Sequence, residues 1–233
     1  MTYMNMKKIL FYFLFLAITS AFTLPVQKLK SCQDLPIQLS KSKGINGNLV
    51  IYLTGDGGWN DFSQKLTNEF EKEGYGVVSL NTRKYFWKKR TPDLFAQDIE
   101  HLVSYYMREW GKNSVIIVGY SFGADVAAFL PRRLPIDLLA KINHVALLSP
   151  SLSTDFVINL SDLIGDSKHR KRKYKLGPEL NETTLPIVCI FGAKEDLNLK
   201  NILLKRESLT IREIPGSHHY KYNTALLVKM IGL

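Results

Sequence analysis

Cysteine is scarce in this sequence: Cys32 and Cys189 are the only two in 233 residues. Two cysteines are too few for a cysteine-rich zinc site. Cys189 also lies inside an apolar run at residues 186–191, which is typical of a small core residue rather than of half a disulfide bridge. We expect neither a metal site nor another cofactor.

A hydrophobic run long enough to span a membrane is also missing near the N-terminus. Residues 9–24 form an apolar stretch of only 16 residues that includes Thr and Ser. Lys7 and Lys8 precede it and residues 19–21 are small, which together are typical of a secretory signal peptide. We predict a signal peptide over residues 1–21 and export across a membrane, with an uncleaved anchor as the alternative.

Acidic residues are outnumbered, because 31 Lys and Arg face 21 Asp and Glu and give a formal net charge of +10. Removal of Lys7 and Lys8 with the leader lowers this charge by two, to +8. On an exported protein such a surplus favours contact with an anionic lipid surface over contact with nucleic acid. The basic run at residues 168–173 is either a solvated loop or a landing patch for lipid phosphates.

Apolar strand patterns alternate with amphipathic helix patterns along the chain, without an internal repeat. The strands are predicted at residues 48–53, 76–80, 115–118, 142–148, 187–191 and 208–214, and the helices at 61–73, 91–110, 122–132 and 224–231. Residues 22–47 read as an N-terminal arm with a short edge strand, and residues 150–184 are less regular. The alternation predicts one α/β domain over residues 48–233, with a doubly wound, mostly parallel sheet.

The third of these predicted strands, residues 115–118, leads into the sequence Gly-Tyr-Ser-Phe-Gly at residues 119–123. A G-x-S-x-G motif between a strand and a helix is typical of a nucleophile elbow, although an ordinary glycine-rich turn is the alternative. The candidate nucleophile is Ser121, and the backbone N–H of Phe122 is one candidate oxyanion donor. The other donor is expected from the glycine-rich loop after the first core strand, at Asp56 or Gly57.

A serine hydroxyl needs a base to take its proton, and the base needs a carboxylate to orient it. His218 and its alternative His219 follow the last predicted strand, and His218 is preferred because an aromatic residue follows it at the second position. Asp196 and its alternative Glu195 follow the strand before. Asp196 is slightly preferred because Asp is the commoner acid, whereas Glu195 is third after Gly192, a usual acid position. The order serine, acid, histidine is that of the α/β-hydrolases.

Four longer motifs extend these observations. They are Thr-Gly-Asp-Gly-Gly-Trp at residues 54–59, Tyr-Phe-Trp at 85–87 with Arg-Thr-Pro at 90–92, Gly-Tyr-Ser-Phe-Gly-Ala-Asp at 119–125, and Pro-Gly-Ser-His-His-Tyr at 215–220. Together they resemble the VirJ/AcvB family of bacterial virulence proteins from about residue 48 to the C-terminus. The chain departs from the family pattern at Ser217 and Tyr220, where Gly and Phe are usual, and in the acid loop, which has no cysteine.

The resemblance implies an α/β-hydrolase fold, a periplasmic location, a link to type IV secretion and, as in AcvB-like members, hydrolysis of lysyl-phosphatidylglycerol. An aminoacyl ester suits a serine nucleophile that forms a lysyl-enzyme. The basic residues 170–173 would face the anionic membrane. Asp56 or Asp125 would pair with the lysyl ammonium group, although a structural role at the start of its helix is the preferred reading of Asp125.

Two other functions remain open. A general periplasmic esterase or lipase would use the same serine, histidine and acid. A non-catalytic partner of a type IV secretion machine would instead use residues 85–90 and the basic run as contact surfaces. If a lid covers the site, residues 150–184 are where we expect it.

Overall fold

The computed structural model describes residues 34–41, 47–158, 172–195 and 198–232. The predicted signal peptide, much of the N-terminal arm, most of the basic run and Asp196 lie outside these residues. The described residues all belong to one compact unit. Within them, none of the helices combines the length and the apolar character that a membrane crossing requires.

Among the residues that the structure describes, nine strands form a large and a small sheet. They are β1 (Ile37–Ser40), β2 (Asn48–Leu53), β3 (Gly76–Leu80), β4 (Ser114–Tyr120), β5 (Ile142–Leu148), β6 (Ser153–Thr154), β7 (Tyr174–Lys175), β8 (Ile187–Gly192) and β9 (Leu209–Ile214). The described part of the large sheet has the order β1-β3-β2-β4-β5-β8-β9, and only the edge strand β1 is antiparallel to its neighbour. The predicted doubly wound, mostly parallel sheet is confirmed.

Helices connect most of the strands. They are α1 (Asp61–Lys72), α2 (Thr82–Tyr85), α3 (Pro92–Glu109), α4 (Phe122–Ala127), α5 (Ile136–Leu139), α6 (Leu176–Asn181), α7 (Asn198–Ile202) and α8 (Thr224–Ile231). α4 ends five residues earlier than the 122–132 span that was predicted, and turns follow it. Pro131 explains the difference, because proline disfavours helical geometry at the preceding Leu130. Residues 150–184, which read as irregular, contribute β6, β7 and α6.

Both faces of the large sheet are covered. In β2, Leu49, Ile51 and Leu53 pack with α3 and α4, whereas Val50 and Tyr52 pack with α1 and α8. All five side chains are fully buried, which is why the strand reads as a continuous apolar run rather than an alternating one. The packing on both faces holds the interior strands in place. Their carboxyl ends meet at one edge of the sheet, which is where ligands bind in open α/β sheets.

Candidate active site

Ser121 stands between β4 and α4 with φ 53° and ψ −119°. A residue other than glycine rarely adopts a positive φ, and such strained residues cluster at functional sites. The flanking glycines allow the turn to pack closely. A Cβ added at Gly123 would lie 2.2 Å from the carbonyl oxygen of Leu53, and one at Gly119 would lie 2.5 Å from the carbonyl oxygen of Gly123. The motif therefore forms the tight strand-to-helix turn that its sequence predicts.

His218 is the histidine that reaches this serine. Its Nε2 lies 2.8 Å from Ser121 Oγ, while the ring of His219 stacks on Tyr222 instead. Tyr120, which immediately precedes the serine, donates its hydroxyl to the His218 carbonyl oxygen at 3.2 Å. The strand that carries the serine thus also holds the loop that carries the histidine.

The carboxylate that the structure describes beside His218 belongs to Glu195, the alternative acid of the sequence analysis. Its Oε1 lies 2.7 Å from His218 Nδ1. The Glu195 N–H donates to the Gly192 carbonyl oxygen at 2.9 Å, and this turn folds the side chain back toward the strand end. Asp196, which the sequence analysis slightly prefers, lies outside the described residues. The described geometry supports Glu195, which its offset from Gly192 also favours.

Glu195 Oε2 has partners of its own. It accepts the Gly192 N–H at 2.7 Å and the Ser149 hydroxyl at 2.9 Å. Burial raises the pKa of Glu195, but the hydrogen bonds from His218, Gly192 and Ser149 outweigh it, and the pKa lies below its usual value. An ionised carboxylate accepts the Nδ1–H of His218 and leaves Nε2 free to take the serine proton.

Two backbone segments near Ser121 are candidates to hold an oxyanion, because Phe122 and Asp56 line the same cavity as the serine. Phe122 is the first residue of α4, and the N–H groups of a first helical turn have no acceptor within their own helix. In the loop after the adjacent strand β2, the Gly58 N–H donates to the Gly55 carbonyl oxygen at 2.9 Å and closes a turn around Asp56 and Gly57. The backbone N–H groups of Asp56 and Gly57 take no part in this hydrogen bond, as an oxyanion donor requires.

The cavity next to Ser121 is lined by three carboxylates, on Asp56, Asp125 and Asp155, and by Arg172 and His218. Asp125 is buried and accepts the backbone N–H of Ser151 at 2.7 Å and the Ser151 hydroxyl at 2.8 Å, with Arg172 Nη1 at 3.9 Å. Burial raises the pKa of Asp125 to about 7, although these hydrogen bonds and Arg172 oppose it. Its carboxylate therefore anchors the loop after β5.

Asp56 is different, since it is half-buried in the same lining. No residue that the structure describes gives its carboxylate a hydrogen bond or an ion pair. The two candidate cation-binding carboxylates of the sequence thus have different surroundings. In the described ranges no three His, Cys, Asp or Glu side chains cluster to hold a metal ion.

Two residues of the site have no role in the sequence-based prediction. Ser149 follows β5 directly and donates to Glu195. Tyr220 is fully buried, and its hydroxyl contacts Ser149 and the Ile190 carbonyl oxygen. A polar residue directly after a buried strand was the available signal for Ser149, whereas Tyr220 was visible only as part of the histidine motif.

Comparison with solved structures identifies the fold. The chain is similar to Est1E from Butyrivibrio proteoclasticus, solved with ferulic acid bound (TM-score 0.60, 13% identity, 84% of this chain and 92% of that one). It is similar to MenH from S. aureus (0.61, 12%, 84% and 97%). It is also similar to MGS-MChE2, an α/β-hydrolase enzyme from a lagoon-sediment metagenome in Morocco (0.59, 15%, 84% and 91%). These likenesses show an α/β-hydrolase fold.

Comparison of sequences identifies the family. No curated protein sequence matches the chain. The profile of the family described as bacterial virulence protein (VirJ) matches residues 47–232, which include every described residue of the site. The chain, with its α/β-hydrolase fold, therefore belongs to the VirJ family of bacterial virulence proteins.

Proposed function

We propose that this protein is a serine hydrolase that cleaves carboxylic esters through an acyl-enzyme on Ser121. One observation carries the proposal, namely the unbroken hydrogen-bonded series of Ser121 Oγ, His218 and Glu195, with links of 2.8 and 2.7 Å. A nucleophile within hydrogen-bond reach of a base, which a third group orients, is the general signature of covalent catalysis. The strained elbow beneath Ser121 supports the same conclusion.

The reaction follows from this geometry. As Ser121 Oγ attacks the ester carbon, His218 Nε2 takes its proton, and Glu195 stabilises the resulting imidazolium. The imidazolium then protonates the departing alcohol oxygen, which leaves the acyl group on the serine. A water molecule, deprotonated by His218, then attacks this acyl-enzyme, and the imidazolium returns the proton to Ser121 Oγ as the acid is released. The backbone N–H of Phe122 and that of Asp56 or Gly57 would stabilise the oxyanion, at about 3 kcal/mol each.

The substrate we propose is an aminoacyl ester, with lysyl-phosphatidylglycerol as the specific candidate. The cavity supports a cationic acyl group because carboxylates outnumber cationic side chains in its described lining. Asp56 is the better placed to pair with the ammonium group, since its carboxylate has no partner among the described residues. Asp125 is already bound by Ser151. A general esterase without charge preference is the alternative enzyme.

A surface beside the cavity supports contact with a lipid bilayer. Trp87 is 54% exposed, and Lys88 and Lys89 beside it are exposed as well. The segment is anchored, because the Ile158 N–H donates to the Phe86 carbonyl oxygen at 2.9 Å, and Ile158 lines the cavity. Tryptophan with flanking lysines is typical of side chains that enter the interface of an anionic membrane. We propose that this Trp87 surface brings the cavity to the lipid headgroups.

The first prediction concerns the reaction itself. The purified mature protein should release free lysine from vesicles that contain lysyl-phosphatidylglycerol, and Ser121→Ala should lower this release by at least about 10³-fold, because the acyl-enzyme cannot form. Lysine is quantified by amino-acid analysis, with a neutral short-chain ester assayed in parallel. Cleavage of the neutral ester alone would indicate a general esterase. A folded protein that cleaves neither would support the secretion-partner alternative.

The second prediction separates the two candidate acids. Glu195→Gln should lower kcat on either ester by about 10³- to 10⁴-fold, since a neutral amide neither fixes the tautomer of His218 nor stabilises its cation. Asp196→Asn, the matched change one residue away, should leave kcat within about threefold of wild type. Steady-state kinetics on the two variants decides the matter. The reverse pattern would return the acid role to Asp196.

The third prediction concerns charge recognition. Asp56→Asn should lower the ratio of kcat/KM for the lysyl ester over that for the neutral ester about tenfold, because a charge-assisted hydrogen bond to the ammonium group is lost. Asp125→Asn should change both values by the same factor, since Asp125 acts through Ser151. Both substrates are compared at one pH and ionic strength. An unchanged ratio in Asp56→Asn would reject this residue as the cation-binding group.

The fourth prediction concerns the Trp87 surface. Binding to phosphatidylglycerol vesicles, measured by co-sedimentation, should weaken several-fold in Trp87→Ala and about fivefold in Lys88→Ala, given about 1 kcal/mol per cation near an anionic surface. Ile136→Ala is the control, because Ile136 is an exposed apolar residue, at 76%, outside this segment. The proposal would be contradicted, and a protein contact favoured, by either of two results. One is equal binding by all three variants; the other is wild-type binding to neutral vesicles that is as strong as its binding to phosphatidylglycerol vesicles.

A further inference from the structure

Two buried hydroxyl groups lie behind the acid of the site. Ser149 Oγ is 2.9 Å from Glu195 Oε2, and the Tyr220 hydroxyl contacts Ser149 Oγ directly. The same Tyr220 hydroxyl lies 2.9 Å from the Ile190 carbonyl oxygen. These groups connect the loop after β5, the strand β8 and the histidine loop to a single carboxylate oxygen.

A count of protons limits the directions that these hydrogen bonds can take. The two hydroxyls carry one proton each, but they make three contacts, with Ile190, with one another and with Glu195. Because the ionised Glu195 has no proton to donate, its contact with Ser149 uses the proton of Ser149. The contact between Ser149 and Tyr220 is then a hydrogen bond only if Tyr220 donates.

The Ile190 carbonyl oxygen does not require the Tyr220 proton, since it already accepts the Ser149 backbone N–H at 2.8 Å. Burial raises the pKa of Tyr220 well above its usual value, so the phenol keeps the proton that it donates. The Tyr220 hydroxyl has two acceptors within reach, the Ile190 carbonyl oxygen and Ser149 Oγ. When Tyr220 donates to Ser149 and Ser149 donates to Glu195, both hydroxyls and the carboxylate are hydrogen-bonded, and the Ile190 carbonyl oxygen keeps the Ser149 backbone N–H. Hydroxyls in series polarise one another, which strengthens the last donor.

We propose that Ser149 and Tyr220 are positioning residues that hold Glu195 ionised and oriented toward His218 through a two-hydroxyl relay. The proposal rests on the serine hydrolase function proposed above. Tyr220 acts only through Ser149, and neither residue touches the reacting atoms. The backbone supports this assignment, because Ser149 has φ 53° and Tyr220 has φ 52°. Two non-glycine residues are thus held in a disfavoured conformation at the point where their hydroxyls meet.

The test is a double-mutant cycle on Ser149→Ala and Tyr220→Phe. Each change removes one hydroxyl and little volume. Ser149→Ala should lower kcat about tenfold with little change in KM, since a hydrogen bond to a charged group is worth at least that factor. Tyr220→Phe should lower it about threefold, because Ser149 still donates but is less polarised. In the Ser149→Ala background, Tyr220→Phe should change kcat no further, and multiplicative losses would overturn the relay.

The pH profile supplies a readout that packing alone would not move. Activity needs an ionised Glu195, and removal of the Ser149 donor raises the pKa of that carboxyl. The acidic limb of kcat/KM should therefore move to higher pH in Ser149→Ala, and less so in Tyr220→Phe.

Ser149→Gly separates strain from positioning, because glycine accepts a positive φ. It should unfold at a higher temperature than Ser149→Ala and show the same acidic shift, and a wild-type profile in Ser149→Gly would overturn the proposal.

A measurement that needs no substrate keeps this inference apart from the proposed function. The His218 Nδ1–H, held by Glu195, should give a downfield proton NMR signal in the wild type, and the signal should weaken or exchange faster in Ser149→Ala and Ser149→Gly. If the wild type hydrolyses no ester but its NMR signal is present and weakens in the two Ser149 variants, the positioning role stands and the proposed reaction fails. If the wild type is active and the signal and pH profile of the variants are unchanged, only the relay fails.

Discussion

The close contact between the start of α4 and the end of β2 is the constraint on which the site depends. A side chain at residue 123 would collide with the Leu53 carbonyl oxygen, so only glycine lets the helix begin so near the sheet. That approach turns the backbone of Ser121 into a positive φ, at a cost of about 1–3 kcal/mol. The packed strands on either side hold the turn in place, because the central sheet is buried on both faces. The packed core thus holds Ser121 in its strained conformation.

The same edge shows how hydrogen bonds decide the state of a buried carboxyl group. Burial raises the pKa of both Asp125 and Glu195. For Glu195 the donors His218, Gly192 and Ser149 reverse the direction, whereas for Asp125 the donors from Ser151 do not overcome burial. Glu195 is therefore an ionised partner for His218, whereas Asp125 holds the loop after β5 in place. Similar side chains at neighbouring strand ends acquire different tasks from their surroundings.

Several features of the fold were predictable because they depend on short-range patterns. The continuous apolar runs predicted the buried strands. The helix predicted from residue 91 is α3, and it begins after Thr91, whose Oγ1 accepts the Leu94 N–H at 3.2 Å. The end of α4 differs from the predicted one, because Pro131 disfavours helical geometry at Leu130 in a segment whose pattern is otherwise typical of a helix. The small β6–β7 sheet was missed because strands of two residues carry no periodic signal.

The sequence by itself determined the order of the elements and the strand-to-helix turn at Ser121, and it favoured His218 over His219, because each depends on local spacing or on an adjacent motif. Only the tertiary structure decided that Glu195 faces His218 and that Ser149 and Tyr220 stand behind it. Those contacts join residues 46 and 71 positions apart, Glu195 and Ser149 in one case and Tyr220 and Ser149 in the other. Their geometry follows from how parallel strands align their carboxyl ends, and no local pattern encodes that alignment.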